Sequence, residues 1–267
     1  MLNPLQNHLL EMLRWLSKYI DSHNLRYYVI GGTFLGAVRH RGFIPWDDDI
    51  DIAMPRSDYQ KLINLLSKRT DHYIVEYPNG KTKEYMYNFA KLYDVNTTMI
   101  EKLRMKVVRG VYIDIFPLDG LGNTYEESIK NYKIIDRYNM LLAMRTCSYR
   151  KDRKWWKNLM MYIGRLIPIS PVYLAKKVND TCMQRDFDKK TYVANCMSPY
   201  RSREILEKRL LGNPTNYQFE DIVVKGPELA DEYLTTIFKN WKELPPENKR
   251  KTAHDFIYLD LKKSYLD

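Results

Sequence analysis

The fold of this chain depends most on residues 31–55, which read GGTFLGAVRHRGFIPWDDDIDIAMP. Gly31 and Gly32 permit a tight backbone turn. Thr33 is expected to cap a short helix that continues over residues 34–38. Because N–H groups at the start of a helix bind phosphate oxygens, the first half of the stretch predicts a phosphate-binding turn.

The second half of the stretch predicts a strand that carries carboxylates. Asp49 and Asp51 alternate with isoleucines, and a period of two places both aspartates on one face of the strand. Like charges side by side raise the pKa of one carboxyl group unless a cation lies between them. A hard divalent ion with oxygen ligands, Mg²⁺ or Mn²⁺, suits such a pair. Asp47 and Asp48 lie just upstream and are expected to add a ligand or to orient one.

Other classes of acidic motif fit this stretch less well. An EF-hand loop counted from Asp47 would place Ile52 where glycine is required and Asp58 where glutamate is usual. Nucleotide-sugar glycosyltransferases place a large nucleotide-binding half before their Asp-x-Asp pair, whereas only 48 residues precede Asp49. A solvated acidic turn would not interleave aspartates with isoleucines.

Two blocks of the sequence resemble a known family. The run GTFLGAVRHRGFIPWDDDIDI is similar to the hallmark of the LicD family of phosphotransferases, relatives of fukutin and fukutin-related protein in the nucleotidyltransferase superfamily. Residues 111–119, VYIDIFPLD, resemble the second block of that family. Residues 217–262 are less specifically similar, since Phe238 and Lys239 stand where the family has Tyr-Gly.

The resemblance implies roles for individual residues. The expected catalytic carboxylates are Asp49, Asp51 and Asp114, and the expected ligands of Mg²⁺ or Mn²⁺ are Asp47, Asp48, Asp49, Asp51 and Asp114. The expected contacts to the donor phosphates are Gly31, Gly32, Thr33, Arg39, His40 and Lys91. Arg39 and His40 are expected within one helical turn of the bound phosphate, with His40 in binding rather than as general base. A solvated lysine at a strand edge remains an equal interpretation of Lys91.

Composition bounds the class of protein. The chain has 267 residues, 45% hydrophobic and 28% charged, which suits a globular chain that buries a full core. Cys147, Cys182 and Cys196 have no metal-ligand spacing and predict reduced thiols. We find neither a signal peptide nor an apolar run of membrane-spanning length, so a cytoplasmic protein is expected.

The net charge of +10 is concentrated in the second half of the chain. Residues 133–209 contain 18 basic and 7 acidic side chains, which predicts an acidic partner: anionic lipid, a phosphate-rich polymer or nucleic acid. Within them, residues 150–169 carry Trp155 and Trp156 beside lysines and arginines, as interfacial amphipathic helices do. A core helix is the alternative, and the more frequent fate of such a pattern.

The fold class expected is α/β (α+β). A nucleotidyltransferase-like core with a mixed sheet is expected over residues 1–123, and a mainly helical C-terminal lobe packed on it over residues 124–267. Apolar spacing predicts a helix over residues 2–22 and a second one from Pro55 to Ser67. The remaining expected strands are 25–30, 72–77, 86–93 and 96–100, and the remaining expected helices are 124–148, 151–167, 171–186 and 201–211.

The function implied by the resemblance is metal-dependent transfer of a phosphorylated alcohol. Phosphocholine from CDP-choline would pass to a hydroxyl of a cell-surface glycan, such as a lipid-linked teichoic acid precursor, and CMP would leave. Transfer of glycerol- or ribitol-phosphate from a CDP donor, or a nucleotidyltransferase acting on RNA, is the alternative, although no nucleic-acid partner is expected. A scaffold protein with a dead site is disfavoured because all three catalytic carboxylates are present. Peripheral contact with the inner face of an anionic membrane is a further expectation.

Overall fold

The computed structural model describes residues 2–69, 71–82, 85–102, 107–147, 149, 151, 153–252 and 256–267. The helices in these residues are α1 (Pro4–Ser22), α2 (Gly31–His40), α3 (Arg56–Leu66), α4 (Tyr125–Thr146), α5 (Trp155–Ile163), α6 (Pro171–Cys182) and α7 (Ala230–Phe238). The first strands are β1 (Tyr28–Val29), β2 (Asp51–Pro55), β3 (Tyr73–Glu76), β4 (Ala90–Asp94), β5 (Thr98–Glu101) and β6 (Val108–Arg109). The later strands are β7 (Tyr112–Gly122), β8 (Tyr192–Ala194), β9 (Leu206–Glu207), β10 (Thr215–Phe219), β11 (Ile222–Gly226) and β12 (Phe256–Asp260).

A mixed sheet forms the centre of the molecule, in the order β1-β2-β7-β4-β3, and β8 with β9 joins it along the second part of β7. β2 and β7 are parallel, while the other neighbours are antiparallel. All eleven residues of β7 are buried, as a strand covered on both faces requires. This mixed sheet, surrounded by helices, confirms the α+β class expected from the sequence.

The predicted amphipathic helices form where their apolar spacing indicated. In α1 the five residues that share the predicted face, Leu5, Leu9, Met12, Leu16 and Ile20, are all buried. Asn3 and Gln6 form a reciprocal capping box that fixes the start of α1. The predicted inner face of α3 is buried too, so both helices cover the sheet.

Several predicted boundaries are wrong because tertiary contacts override local patterns. Helix α2 begins at Gly31 with Ile30 as its N-cap, so Thr33 lies inside the first turn and does not cap the helix. Strand β2 begins at Asp51, which leaves Asp49 in the preceding loop. The predicted strand over residues 25–30 shortens to β1, and the predicted helix over 201–211 is two 3-10 turns around β9. Residue 148, the last of one predicted helix, and residue 152, the second of the next, lie outside the described residues.

The two halves of the chain share their core. Strand β8 pairs with β7, and β12 pairs with β5, so residues after 123 extend sheets begun by residues before it. Phe187, Phe219 and Tyr233 belong to the same apolar cluster as the residues of α1 and β2. A separation of the lobe at residue 124 therefore stays a prediction. Within the part of the chain that the structure describes, every helix is too short or too polar to span a lipid bilayer.

Helix α5 does not have the core position that was the more frequent expectation for its pattern. None of its residues is buried, and the side chain of Trp155 is 76% exposed. A core interpretation of this helix is therefore wrong.

Candidate active site

Two carboxylates and a lysine lie in one row across the central sheet. Asp51 of β2 is directly opposite Asp114 of β7, and Asp114 is directly opposite Lys91 of β4. Residues in register on neighbouring strands project from the same face of a sheet. The sheet register thus joins three of the residues that the sequence placed in the site.

Lys91 is buried, with 2% of its surface exposed, and its ammonium group contacts Asp114. The Lys91 Nζ atom lies 2.9 Å from Asp114 Oδ1. The same atom lies 3.2 Å from the centroid of the Tyr112 ring and 4.4 Å from that of Tyr87. A buried charge needs a partner, and this one has a carboxylate and two aromatic faces. Lys91 is not the solvated edge lysine of the alternative interpretation.

The start of α2 packs directly against the carboxylates. A Cβ atom added to Gly31, whose φ is +56°, would lie 2.9 Å from Asp51 Oδ2, and one added to Gly32 would lie 2.7 Å from Asp47 Oδ2. Only glycine lets the backbone approach so closely. Thr33 Oγ1 accepts a hydrogen bond from the Asp51 backbone N–H at 2.9 Å, which fixes the helix start to β2.

The turn before β2 brings three more carboxylates together. Asp47, Asp48 and Asp49 each place one carboxylate oxygen within 4.8 Å of the others. The Gln6 side chain donates to the Asp47 carbonyl oxygen at 2.9 Å, and the Thr252 hydroxyl donates to Asp48 Oδ2. Residues from both ends of the chain therefore position this acidic turn.

Burial and mutual repulsion make the cluster electrostatically costly. Burial raises the pKa of Asp51 well above its usual range, and the charges of Asp49, Asp114 and Asp47 raise it further. Burial also raises the pKa of Asp114, against the opposing effect of Lys91. A cation between these groups would relieve the repulsion.

The donor set fits a hard divalent cation. All the candidate ligand atoms are carboxylate oxygens, which Mg²⁺ and Mn²⁺ prefer over nitrogen or sulfur. No side chain of the glycine turn stands between the helix start and the Asp51 and Asp47 carboxylates. The residues present therefore suit the metal expected from the sequence, while the identity of the ion stays a prediction.

Arg39 and His40 lie at the far end of α2 from the glycine turn. Arg39 lies eight residue steps after Gly31, which corresponds to about 12 Å along the helix axis. Arg39 Nη1 donates to the Trp241 carbonyl oxygen at 2.7 Å, and burial followed by the charge of Arg39 lowers the pKa of His40. The expectation that these residues lie within one helical turn of a phosphate at Gly31 is wrong, and their part in binding stays a prediction.

Sequence reasoning missed two tyrosines that face the site. Burial raises the pKa of Tyr233 in α7, and the nearby backbone N–H of Gly31 opposes that shift. Tyr200 lies close enough to the cluster that, after burial, the charge of Asp51 contributes most to raising its pKa. Tyr200 stands in no motif, and Tyr233 lies in the loosely similar residues 217–262, where nothing marks it among the 22 tyrosines of the chain.

A comparison with protein families shows the family to which this chain belongs. A family model described as LicD/FKTN/FKRP, nucleotidyltransferase domain, matches residues 24–158. The chain belongs to this family. The matched region of this LicD/FKTN/FKRP member runs from β1 to α5 and contains the whole carboxylate row and the glycine turn.

Curated relatives of this family member cover different parts of it. The lipopolysaccharide cholinephosphotransferase LicD of Haemophilus influenzae is 25% identical over 253 residues, which is 92% of both chains. An uncharacterized protein of Rickettsia typhi is 40% identical over 131 residues, 47% of this chain and 38% of the relative. Human ribitol 5-phosphate transferase FKRP is 38% identical over 48 residues, 18% of this chain and 10% of the relative.

Proposed function

We propose that this chain is a phosphotransferase that moves a phosphorylated alcohol from a CDP-alcohol donor to a glycan hydroxyl. The observation that carries the proposal is the row of Asp51 and Asp114 directly beside the glycine start of α2. In this arrangement the carboxylates would hold a divalent cation, and the helix N-terminus would donate N–H groups. Both would act on the same diphosphate group. The relatives named for cholinephosphate and ribitol 5-phosphate transfer support the same reaction class.

In the proposed reaction the acceptor hydroxyl attacks the phosphorus that carries the alcohol. A new P–O bond forms to the acceptor, the bond to the bridging oxygen breaks, and CMP leaves with that oxygen. A carboxylate of the cluster accepts the hydroxyl proton. A divalent cation held by Asp47, Asp48, Asp49, Asp51 and Asp114 would supply positive charge beside the diphosphate oxygens.

The remaining residues of the site position these groups. Gly31 and Gly32 let the N-terminus of α2 approach the phosphate, where the positive end of the helix dipole opposes the anionic charge. Thr33 holds β2 against α2 through its hydrogen bond with the Asp51 N–H, and the buried ammonium group of Lys91 neutralises part of the charge on Asp114. Preorganised electrostatics of this kind, rather than a covalent intermediate, would supply the rate.

Phosphocholine from CDP-choline is the first donor in this proposal. The relative named as a cholinephosphotransferase aligns over 92% of the chain, whereas the match to the ribitol 5-phosphate transferase covers 18%. Ribitol-phosphate is the second candidate because that shorter match reaches 38% identity. The acceptor in this proposal is a cell-surface glycan such as a lipid-linked teichoic acid precursor, assembled at the inner face of the membrane.

CMP release from purified protein tests the proposal. We expect CMP from CDP-choline in Mg²⁺ or Mn²⁺, with lower rates from CDP-ribitol and CDP-glycerol, and none in EDTA. Asp51→Asn is expected to abolish release, whereas Asp21→Asn, the same change at an exposed carboxylate on α1, is expected to leave it unchanged. Equal turnover in EDTA, or incorporation of nucleotides into RNA without CMP release from any CDP-alcohol, would overturn the proposal.

A further inference from the structure

An exposed apolar face lies on α5 and the 3-10 turn that follows it, Gly164–Leu166. Its members, called here the α5 face, are all more than two fifths exposed: Trp155, Trp156, Leu159, Tyr162, Ile163 and Leu166. Trp155 and Leu166 are 76% and 79% exposed. On a helix of 3.6 residues per turn, positions 155, 159, 162 and 163 fall within about a third of the circumference. The side chains therefore form one continuous strip rather than scattered exposed residues.

Contacts on the opposite side fix the direction of this strip. A Cβ atom added to Gly164 would lie 2.5 Å from the Met144 carbonyl oxygen of α4, so the two backbones pack directly together there. Arg145 of α4 donates to the carbonyl oxygens of Arg165 at 2.9 Å and Ile169 at 3.1 Å. The side that rests on α4 is thus occupied, and the α5 face is turned outward.

Basic side chains flank the α5 face. Lys154, Lys157 and Arg165 are exposed. The Lys157 Nζ atom lies 5.5 Å from the Trp156 ring centroid, and the Arg165 guanidinium lies 5.2 Å from that of Tyr162. In the sequence, residues 137–179 contain ten lysines and arginines and one acidic residue. The surface combines apolar side chains at its centre with positive charge at its edge.

We infer that the α5 face inserts into the interface of an anionic lipid bilayer and holds the protein on the membrane surface. Tryptophan and tyrosine favour the headgroup level, the aliphatic side chains favour the acyl boundary, and lysine and arginine meet the anionic headgroups. The inference is independent of the donor proposed for the active site. It concerns a surface distinct from the carboxylate row and the glycine turn.

The positive charge and the apolar side chains of the α5 face disfavour two other occupants of this surface. A second copy seated symmetrically on this face would bring the two basic rims together, with one acidic residue per chain in the region to compensate. A nucleic acid would match the positive charge and stack on the tryptophans, but it offers no apolar phase to the outward side chains of Leu159, Ile163 and Leu166. A lipid interface is the occupant that matches both features.

Flotation with liposomes tests the inference on the whole protein. Vesicles of phosphatidylcholine with about 30% phosphatidylglycerol are compared with pure phosphatidylcholine at about 0.05 M and about 0.5 M salt, since added salt shortens the Debye length. Wild type is expected to float with the anionic vesicles at low salt and to be released at high salt. Quenching of tryptophan fluorescence by brominated acyl chains is expected in the bound state.

Two pairs of variants separate the apolar and the charged contributions. Trp155→Ser/Leu166→Ser is expected to weaken binding at least about tenfold, and Val223→Ser/Leu266→Ser, also exposed, is expected to leave it unchanged. Lys154→Glu/Lys157→Glu is expected to weaken lipid binding at least about tenfold, because each basic side chain near the membrane surface contributes a several-fold gain in affinity. Lys18→Glu/Lys189→Glu is the matched control, since it changes the net charge equally from outside the region. All four variants should keep the wild-type melting temperature.

Several results would overturn the inference. One is the absence of wild-type flotation with anionic vesicles at low salt. Another is a wild-type dimer in light scattering that Trp155→Ser/Leu166→Ser abolishes without any effect on lipid binding. A third is oligonucleotide binding lost in Lys154→Glu/Lys157→Glu while liposomes are ignored, and a fourth is unfolding of Trp155→Ser/Leu166→Ser, which would make the face a structural contact.

Discussion

Asp119 is predicted to stabilise the fold and to take no part in phosphoryl transfer, although it ends the same block that supplies Asp114. Asp119 is fully buried and receives two hydrogen bonds from Arg56, Nε at 2.7 Å and Nη2 at 2.6 Å. Arg56 Nη1 also donates to Asn179 in α6 at 2.8 Å. Five residues along β7 place Asp119 about 16 Å from Asp114 and on the opposite face of the strand, too far to share a cation with it.

Replacing Asp119 by Ala leaves the Arg56 charge buried without its partner. Loss of one member of a buried ion pair costs about 3–5 kcal/mol of the free energy of unfolding. For a chain of this size each kcal/mol lowers the melting temperature by about 2–4 °C, so we expect a decrease of about 6–20 °C. Arg56→Met/Asp119→Ala removes both charges and should be destabilised by less than the sum of the single changes Arg56→Met and Asp119→Ala.

Urea denaturation of the four proteins of this cycle, with CMP release measured on each folded protein, checks the prediction. Any Asp119 variant that folds at the assay temperature is expected to keep a rate within about threefold of wild type. Asp51→Asn is expected to show the reverse pattern, a large loss of rate without a loss of unfolding free energy. An Asp119→Ala protein that lost less than about 1 kcal/mol of unfolding free energy but all of its activity would refute this reasoning.

Three further predictions concern single residues. Asp51→Asn should abolish transfer and raise the melting temperature of the metal-free protein. The reason is that burial and neighbouring charges raise the pKa of this carboxyl group, so its charged form destabilises the fold. An unchanged or lower melting temperature in EDTA would contradict this prediction. Gly32→Val should raise the KM for the donor or abolish binding in calorimetry, since its side chain would collide with Asp47, and unchanged binding would exclude the glycine turn as the phosphate site. Burial raises the pKa of Glu204 from 4.5 to about 7, so the folded protein holds its proton longer and stability should fall as pH rises from about 4.5 to 7. Glu204→Gln should flatten that part of the curve of melting temperature against pH, and an unaltered slope would assign it to other groups.

Only part of the carboxylate row could be predicted from a local pattern, because strand periodicity is local whereas strand pairing is not. A period of two set Asp51 apart from its isoleucine neighbours, whereas Asp114 was expected only from the family resemblance, and its strand β7 was not among the predicted strands. Nothing local, however, shows which strands become neighbours. The contact of Lys91 with Asp114 required the pairing of β4 with β7, and the sequence could not distinguish it from a solvated lysine.

The position of Arg39 and the exposure of α5 could not be predicted from the sequence, because both depend on tertiary contacts. The stretch after Gly31 was expected to be a short turn that kept Arg39 near the phosphate, but ten residues of helix carry it to the carbonyl groups near Trp241. The apolar spacing of α5 is the same for a core helix and an interfacial one. Only the contact of Gly164 with α4 reveals which side of α5 is covered.

The proximity of Tyr233 to Gly31 and the hydrogen bond from Thr252 to Asp48 affect the order in which the site can assemble during synthesis on the ribosome. The carboxylates and the glycine turn emerge early, but the groups that hold them are synthesised near the end of the chain. A nascent chain that has reached residue 158, and so contains the whole family-matched region, still lacks both tyrosines and Thr252. These contacts with the acidic turn and the glycine turn can therefore form only after residue 252 has been synthesised, and a chain limited to residues 24–158 would lack them.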